Sequence, residues 1–106
     1  MAKDALGPAP RPTTLELLRR ARTPILAAAA SRGLSDVRVF GSVARGDAGA
    51  ASDVDVLVHP ASDASVFDLA GFKADVEELL GVRVDVVSDR GVGPRMERIQ
   101  SEAVPL

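Results

Sequence analysis

The sequence predicts an α/β fold in which helices flank a small mixed β-sheet of about three strands. Two observations support this fold class. Three short runs rich in valine alternate with segments whose apolar residues recur at helical spacing. The connection between the first two runs is too short for a long crossover helix, so we expect those strands to lie antiparallel or oblique to each other. At 106 residues, the chain has room for one such domain.

The N-terminal part predicts an arm followed by a helix. Residues 1–12 contain three prolines and no periodic pattern, and we interpret them as a flexible arm before a domain of residues 13–106. Thr13 and Glu16 have the spacing of a capping box, which predicts a helix start. Pro24 interrupts the apolar stripe that follows, so the pattern allows a kinked helix or two short helices that abut. Gly33 is the expected end.

The remaining elements follow from β-branched runs, helical periodicity and the glycines that end them. In chain order we predict a strand at 36–40, one helical turn at 42–46 with Ser42 as its N-cap, a strand at 54–58, a helix at 66–80, a strand at 82–87 and a helix that begins at Pro94.

Composition excludes several classes of protein. Thirteen basic and fifteen acidic residues give a net charge of −2, which argues against direct nucleic-acid binding through broad phosphate neutralisation. Cysteine is absent, which excludes disulfides and thiolate metal sites. The longest aliphatic run, residues 25–30, is too short to span a bilayer, and the first residues lack the apolar region of a signal peptide. We therefore expect a cytoplasmic protein with no membrane contact.

Two carboxylates at the start of the second strand are the main functional signal. Asp53 and Asp55 are two residues apart, so their side chains project from the same face of a strand. Such a pair repels by roughly 4 kcal/mol at an effective dielectric of about 20, unless a cation or a shared proton relieves it. Asp85 is a third carboxylate among valines and joins the pair if its strand lies beside the second strand. Oxygen ligands favour Mg²⁺, then Mn²⁺.

Gly41 and Ser42 end the first strand and supply a complementary feature. Glycine allows a triphosphate to approach the backbone closely. The backbone N–H groups of the following turn and the Ser42 hydroxyl are suited to phosphate oxygens. Arg45 is the nearby cation best placed to meet phosphate, and Arg38 is a second cation in the same stretch. A surface ion pair between Arg45 and Asp47 is an equally weighted alternative for Arg45.

These residues resemble the signature of a known superfamily. Gly41-Ser42, ten intervening residues and Asp53-x-Asp55 resemble the pattern of the polymerase-β-type nucleotidyltransferases. The fuller strings GSVARG and SDVDVLV are similar to the minimal nucleotidyltransferase (MNT) branch, and Asp85 occupies the place of the third carboxylate. Residues 98–106 also resemble the tails of MNT proteins. The resemblance runs from about Leu15 to the C-terminus and implies a nucleotidyltransferase-like core.

The resemblance implies an Mg²⁺-dependent transfer of AMP from ATP to a hydroxyl, with release of pyrophosphate. It implies that Asp53 and Asp55 bind two metal ions and that Asp85 binds the catalytic one. Gly41 and Ser42 would hold the β- and γ-phosphates. MNT proteins occur beside HEPN-domain ribonuclease toxins, so the implied role is that of an antitoxin that adenylylates a toxin tyrosine.

Alternative interpretations accompany this one. The chain would act as an antitoxin through complex formation alone, or, with less support, as a transferase for small molecules such as aminoglycosides. At the level of residues, Arg83 and Asp85 would form an ion pair on one face of a strand. His59, the only histidine, is expected to be structural or exposed rather than a general base.

Overall fold

The computed structural model describes residues 12–106, so nearly all of the arm predicted at residues 1–12 lies outside the described residues. Within the described part, helices flank a four-stranded mixed sheet whose strand order is β3-β2-β1-β4. The elements, in chain order, are α1 (Leu15–Arg20), α2 (Arg22–Ser31), β1 (Leu34–Phe40), α3 (Gly41–Arg45), β2 (Val54–Pro60), α4 (Val66–Leu80), β3 (Val84–Ser88), α5 (Pro94–Glu102) and β4 (Val104–Pro105). The predicted α/β class is confirmed.

The strand pairings position the two stretches that carry the candidate carboxylates. β1 and β2 pair antiparallel, one of the two arrangements expected, and β2 and β3 pair parallel because α4 returns the chain to the same end of the sheet. β4 adds a fourth, antiparallel strand at the edge beside β1. The sequence analysis missed β4, since two residues are too few to show an alternating pattern. Pro105 is tolerated there because an edge strand has one unpaired side.

The N-terminal helices resolve the question raised by Pro24. Two short helices abut at Ala21, and Pro24 lies in the first turn of α2, where its missing N–H has no intrahelical partner to lose. The predicted cap was one residue too early. The Thr14 side chain, not that of Thr13, accepts a hydrogen bond from the Leu17 N–H at 3.2 Å.

Several predicted boundaries also needed correction. Ser42 is not an N-cap: α3 begins at Gly41, its cap position is Phe40, and no side chain caps it. The strand predictions at 36–40, 54–58 and 82–87 were each off by up to two residues at one or both ends, because sheet pairing rather than β-branched content decides where a strand stops. The helix at 66–80 is as predicted, with a capping box between Ser65 and Asp68.

The two faces of the sheet are covered unequally. One face packs against α1, α2 and α4 and forms the main core, which contains, among others, Leu18, Ile25, Val39, Val56, Phe72 and Val76. The other face carries a small cluster under α5, formed by Phe40, Leu57, Met96 and Ile99. Because side chains alternate along a strand, Asp55 and Asp85 lie on the same face as Leu57. The thinly covered face therefore carries the candidate site.

Among residues 12–106, every helix is too short or too polar to cross a bilayer.

Candidate active site

Asp55 and Asp85 are neighbours across the parallel β2–β3 pair. They are direct register partners, and adjacent strands lie about 4.8 Å apart. Both side chains project toward the α5 face, Asp55 partly buried and Asp85 exposed. Two carboxylates that are thirty residues apart in sequence thus lie side by side.

The protonation of Asp55 reflects this crowding. Burial raises the pKa of Asp55 above its usual value, and the negative charges of Asp85 and Asp53 raise it further. Arg45 and Arg95 act in the opposite direction but do not cancel the effect. The protein therefore concentrates negative charge that its own cations do not balance. Such a site favours a bound cation or a shared proton.

Asp53 lies in the loop just before β2 and is bonded differently. Its Oδ1 accepts from Arg83 Nε at 3.3 Å, and both side chains are exposed. Arg83, considered above as a partner of Asp85, thus pairs with Asp53. Within the described part of the chain, no three acidic or histidine side chains are close enough to hold a metal together. The structure brings Asp55 and Asp85 together, whereas Asp53 stays bonded to Arg83.

The donor set nevertheless suits a hard divalent cation. It consists of carboxylate oxygens alone, which is the chemistry that Mg²⁺ and Mn²⁺ select. Asp53 is near enough for its charge to raise the pKa of Asp55. Its bond to Arg83 is a solvent-exposed ion pair, which contributes at most about 1 kcal/mol and is easily exchanged. The residue types therefore fit a Mg²⁺ site, for which Asp53 would have to leave Arg83.

Gly41 is required by the position of Asp55. Its φ is +72°, in the left-handed region that favours glycine, and it is buried at the end of β1. A Cβ at this position would overlap the Asp55 Oδ2 atom. The sequence analysis explained Gly41 by the approach of a phosphate. The structure adds a second reason, which is that the Asp55 carboxylate itself occupies the space beside the backbone.

Glu102, at the end of α5, is a site residue that the sequence analysis did not identify. Its Oε1 accepts a hydrogen bond from the Gly41 N–H at 3.1 Å and lies 3.5 Å from Arg45 Nη1. Arg45 also pairs with Asp47 at 3.3 Å, as the surface alternative proposed. A signal was present in the sequence, because an acid at the C-terminal end of a helix is disfavoured by the helix dipole and needs another partner.

The carboxylate of Asp89 lies just after the other end of β3. Arg38 Nη2 donates to Asp89 Oδ2 at 2.7 Å, and His59 Nδ1 lies 2.9 Å from Oδ1. Burial alone would raise the pKa of Asp89, but the hydrogen bonds from His59 and Arg38 outweigh it and the pKa is lowered. Arg38 thus belongs to this pairing, and His59 is half-exposed and bonded to Asp89.

Two pockets contain other residues of the candidate site, and neither is lined by Asp55 or Asp85. One, of about 410 Å³, lies between the start of α1 and α3 and includes Arg45. Another, of about 340 Å³, lies beside Asp53 and Arg83.

Known proteins match most of the chain. The nucleotidyltransferase domain family matches residues 25–104. A protein of Methanocaldococcus jannaschii named as a candidate protein adenylyltransferase is 36% identical over 88 residues, which make up 82% of this chain and 91% of that protein.

Solved structures show the same fold. A structure described as a candidate minimal nucleotidyltransferase is 48% identical, covers 89% of this chain and 97% of its own, and superposes with a TM-score of 0.78. A toxin–antitoxin complex with AMP-PNP contains a chain that is 19% identical, with 78% of this chain and 69% of that chain covered and a TM-score of 0.66. At that identity, the second likeness concerns the fold alone.

Proposed function

The chain belongs to the nucleotidyltransferase domain family and is a nucleotidyltransferase, and we propose that it transfers AMP from ATP to a hydroxyl group of a partner protein. The observation that carries this proposal is that Asp55 and Asp85 are register partners beside Gly41. Because Gly41 has no Cβ, it leaves room for the Asp55 carboxylate. The name of the archaeal relative, a candidate protein adenylyltransferase, supports both AMP as the transferred group and a protein as the acceptor.

The proposed acceptor is a tyrosine of a HEPN-family ribonuclease toxin, which makes the chain an antitoxin. The chain itself contains no tyrosine, so such a target belongs to another protein. A structural neighbour crystallised as a toxin–antitoxin complex with AMP-PNP supports a partner of this kind. The carboxylate face also suits a macromolecular acceptor, since Asp85 is exposed there and, among residues 12–106, a small apolar cluster under α5 covers that face.

The carboxylates would hold the metal and Arg45 the phosphates. Bound by Asp53, Asp55 and Asp85, Mg²⁺ supplies positive charge that neutralises the triphosphate and lowers the pKa of the attacking hydroxyl. Arg45, half-exposed at the rim, meets the phosphate charge through its guanidinium group. Ser42, the second residue of α3, would add a hydroxyl donor for the phosphates.

The chemistry is a single in-line displacement. The tyrosine oxygen forms a bond to the α-phosphorus of ATP as the bond from that phosphorus to the α,β-bridging oxygen breaks. Pyrophosphate leaves with the electron pair, and the proton of the hydroxyl passes to Asp85, the exposed member of the register pair. AMP-tyrosine and pyrophosphate are the products.

Transfer of label from ATP to the purified toxin tests this function directly. The chain, Mg²⁺, α-labelled ATP and the toxin are incubated together, and mass spectrometry locates the modified residue. We expect AMP on a toxin tyrosine with the wild-type chain and none with the Asp53→Ala, Asp55→Ala double variant. Absence of label with the wild type would refute the transferase proposal. Undiminished neutralisation of the toxin by the double variant would instead show that complex formation alone suffices.

Thermal unfolding tests nucleotide binding without a toxin. Because MgATP binds only the native state, a concentration of about 100 times Kd should add about 2.7 kcal/mol to the free energy of unfolding. The expected result is a rise in Tm that EDTA abolishes. An unchanged Tm at saturating MgATP would contradict a nucleotide site at these carboxylates.

A further inference from the structure

Glu102, the last residue of α5, contacts groups at the two ends of α3. One of its carboxylate oxygens accepts the N–H of Gly41 and attracts the guanidinium of Arg45. The Glu102 side chain is 30% exposed, against 62% for Asp47, the other partner of Arg45. Asp47 is the closer partner, hydrogen-bonded to Arg45 Nε at 3.3 Å, whereas Glu102 lies 3.5 Å from Arg45 Nη1. Because solvent screens an exposed ion pair more strongly, the pair with Glu102 is the less screened of the two.

Glu102 lies at a position that is electrostatically unfavourable for a carboxylate. Glu102 is the last residue of α5, where the negative end of the helix dipole disfavours a carboxylate. Gly41 is buried, so an unpartnered N–H there would be expensive. Within residues 12–106, the Glu102 carboxylate is the hydrogen-bond partner that this N–H has. The contact thus satisfies a buried donor next to Asp55.

We propose that Glu102 is a positioning residue for the triphosphate: it fixes the Gly41 turn against Asp55 and holds Arg45 at the rim of the site. This inference rests on the proposed function, because it assigns a task to Arg45 in nucleotide binding. Glu102 does not compete with phosphate for the Gly41 N–H, since Gly41 is buried and its N–H already faces α5. Removing the charge of Glu102 therefore weakens nucleotide binding instead of strengthening it.

Calorimetric titration of the full chain with MgATP tests the proposal. Glu102→Gln keeps an oxygen that accepts from Gly41 but loses the charge that attracts Arg45. We expect a rise in Kd of about threefold to fivefold, the usual size for one exposed or half-exposed ion pair. Glu97→Gln is the matched control, because Glu97 carries the same charge on the same helix and is exposed away from Gly41 and Arg45. It should leave Kd unchanged.

A double-variant cycle separates positioning from a general structural role. If Glu102 acts through Arg45, Glu102→Gln has no further effect on Kd in an Arg45→Ala background. An equal loss in both backgrounds, or tighter MgATP binding by Glu102→Gln, would overturn the proposal. Failure of the wild type to bind MgATP would be a different result, since it would refute the nucleotide site itself.

Amide exchange gives a readout that needs no nucleotide. The Gly41 N–H should be protected in the wild type and in Glu102→Gln, and should exchange faster in Glu102→Ala, with the core amides of β2 unchanged. Equal protection of the Gly41 N–H in Glu102→Ala and wild type would overturn the positioning contact.

Discussion

The carboxylates at the two ends of the β2–β3 pair differ in how their charge is balanced. At one end of the strands, Asp55 and Asp85 lie side by side, and the pKa of Asp55 is raised by burial and then by its acidic neighbours. At the other end, Asp89 is bonded to Arg38 and His59, and its pKa is lowered. The same residue type in the same sheet is thus left unbalanced in one place and fully paired in the other.

The difference separates the proposed binding site from a structural ion pair. Paired charges with hydrogen bonds stabilise the native state and need nothing further. Unbalanced charges lower the stability of the native state. Binding of a cation, such as Mg²⁺ with a triphosphate at the proposed site, would restore that stability. Removing a charge at the two ends should therefore change the stability of the native state in opposite directions.

The largest difference is expected in catalysis. Asp55→Ala removes a proposed metal ligand and should lower kcat/KM for AMP transfer by about a thousandfold, since metal-ion stabilisation of the transition state is worth several kcal/mol. Asp89→Asn changes a carboxylate at the other end of the β2–β3 pair, outside the site, and should keep transfer within about threefold of wild type. Steady-state transfer assays at 25 °C compare the two. Equal losses in both variants would remove the distinction between the two groups.

Gly41 offers a sharper test of the crowded end. Gly41→Ala should destabilise the native state by about 3 kcal/mol, because it combines strain at a positive φ with overlap between the new Cβ and Asp55. Gly46→Ala is the matched control, since its φ is +82° but a Cβ there meets no atom within 4 Å. That variant should lose only about 1 kcal/mol. Urea unfolding measures both, and equal losses would contradict the close approach of Asp55.

At the balanced end, the expected loss is somewhat smaller. Asp89→Ala should lower the free energy of unfolding by about 2 kcal/mol, because it leaves the Arg38 side chain, only 16% exposed, without its shorter ion pair. Asp36→Asn is the control: Asp36 pairs with the same arginine at 3.3 Å but is 60% exposed. Its loss should stay below about 0.5 kcal/mol. A larger loss from Asp36→Asn than from Asp89→Ala would show that Asp36, and not Asp89, is the more stabilising partner of Arg38.

The smallest effect, and the one with the opposite sign, is a gain in stability. Because the pKa of Asp55 is raised in the folded state, the folded protein binds that proton more tightly than the unfolded chain does. The stabilisation that Asp55 contributes is present below the ordinary pKa of 3.8 and is lost as the pH rises through the pKa that Asp55 has in the folded protein. At pH 7 and without metal, Asp55→Asn should therefore raise Tm by about 2–5 °C.

The pH profile makes that last prediction specific. The gain from Asp55→Asn should disappear as the pH falls toward 3.5, whereas the exposed Asp63→Asn should leave Tm unchanged throughout. Asp89→Asn should lower Tm at pH 7, because the lowered pKa of Asp89 gives stability above the unfolded pKa that is lost as pH falls through the folded one. A fall in Tm from Asp55→Asn at pH 7 would show that its charge is already balanced.

The sequence by itself determined the α/β class and the family, and it limited the first two strands to an antiparallel or oblique arrangement, because these depend on local periodicity, connection length and residues at fixed spacing. Gly41, Ser42, Asp53 and Asp55 lie within one short stretch and could be recognised together. Asp85 could be named as a candidate, but its place beside Asp55 required the parallel register that α4 creates.

The tertiary structure alone decided which charges are balanced. The local sequence separates Asp89, in the turn after Ser88, from Asp85, between two valines of β3, but it does not show which charges surround either one. Only the fold brings Arg38 and His59 to the first and leaves the second beside another acid. Likewise, Glu102 reaches Gly41 from 61 residues away along the chain. Pairing energies depend on distance in space, and sequence spacing gives that distance only within a single helix or strand.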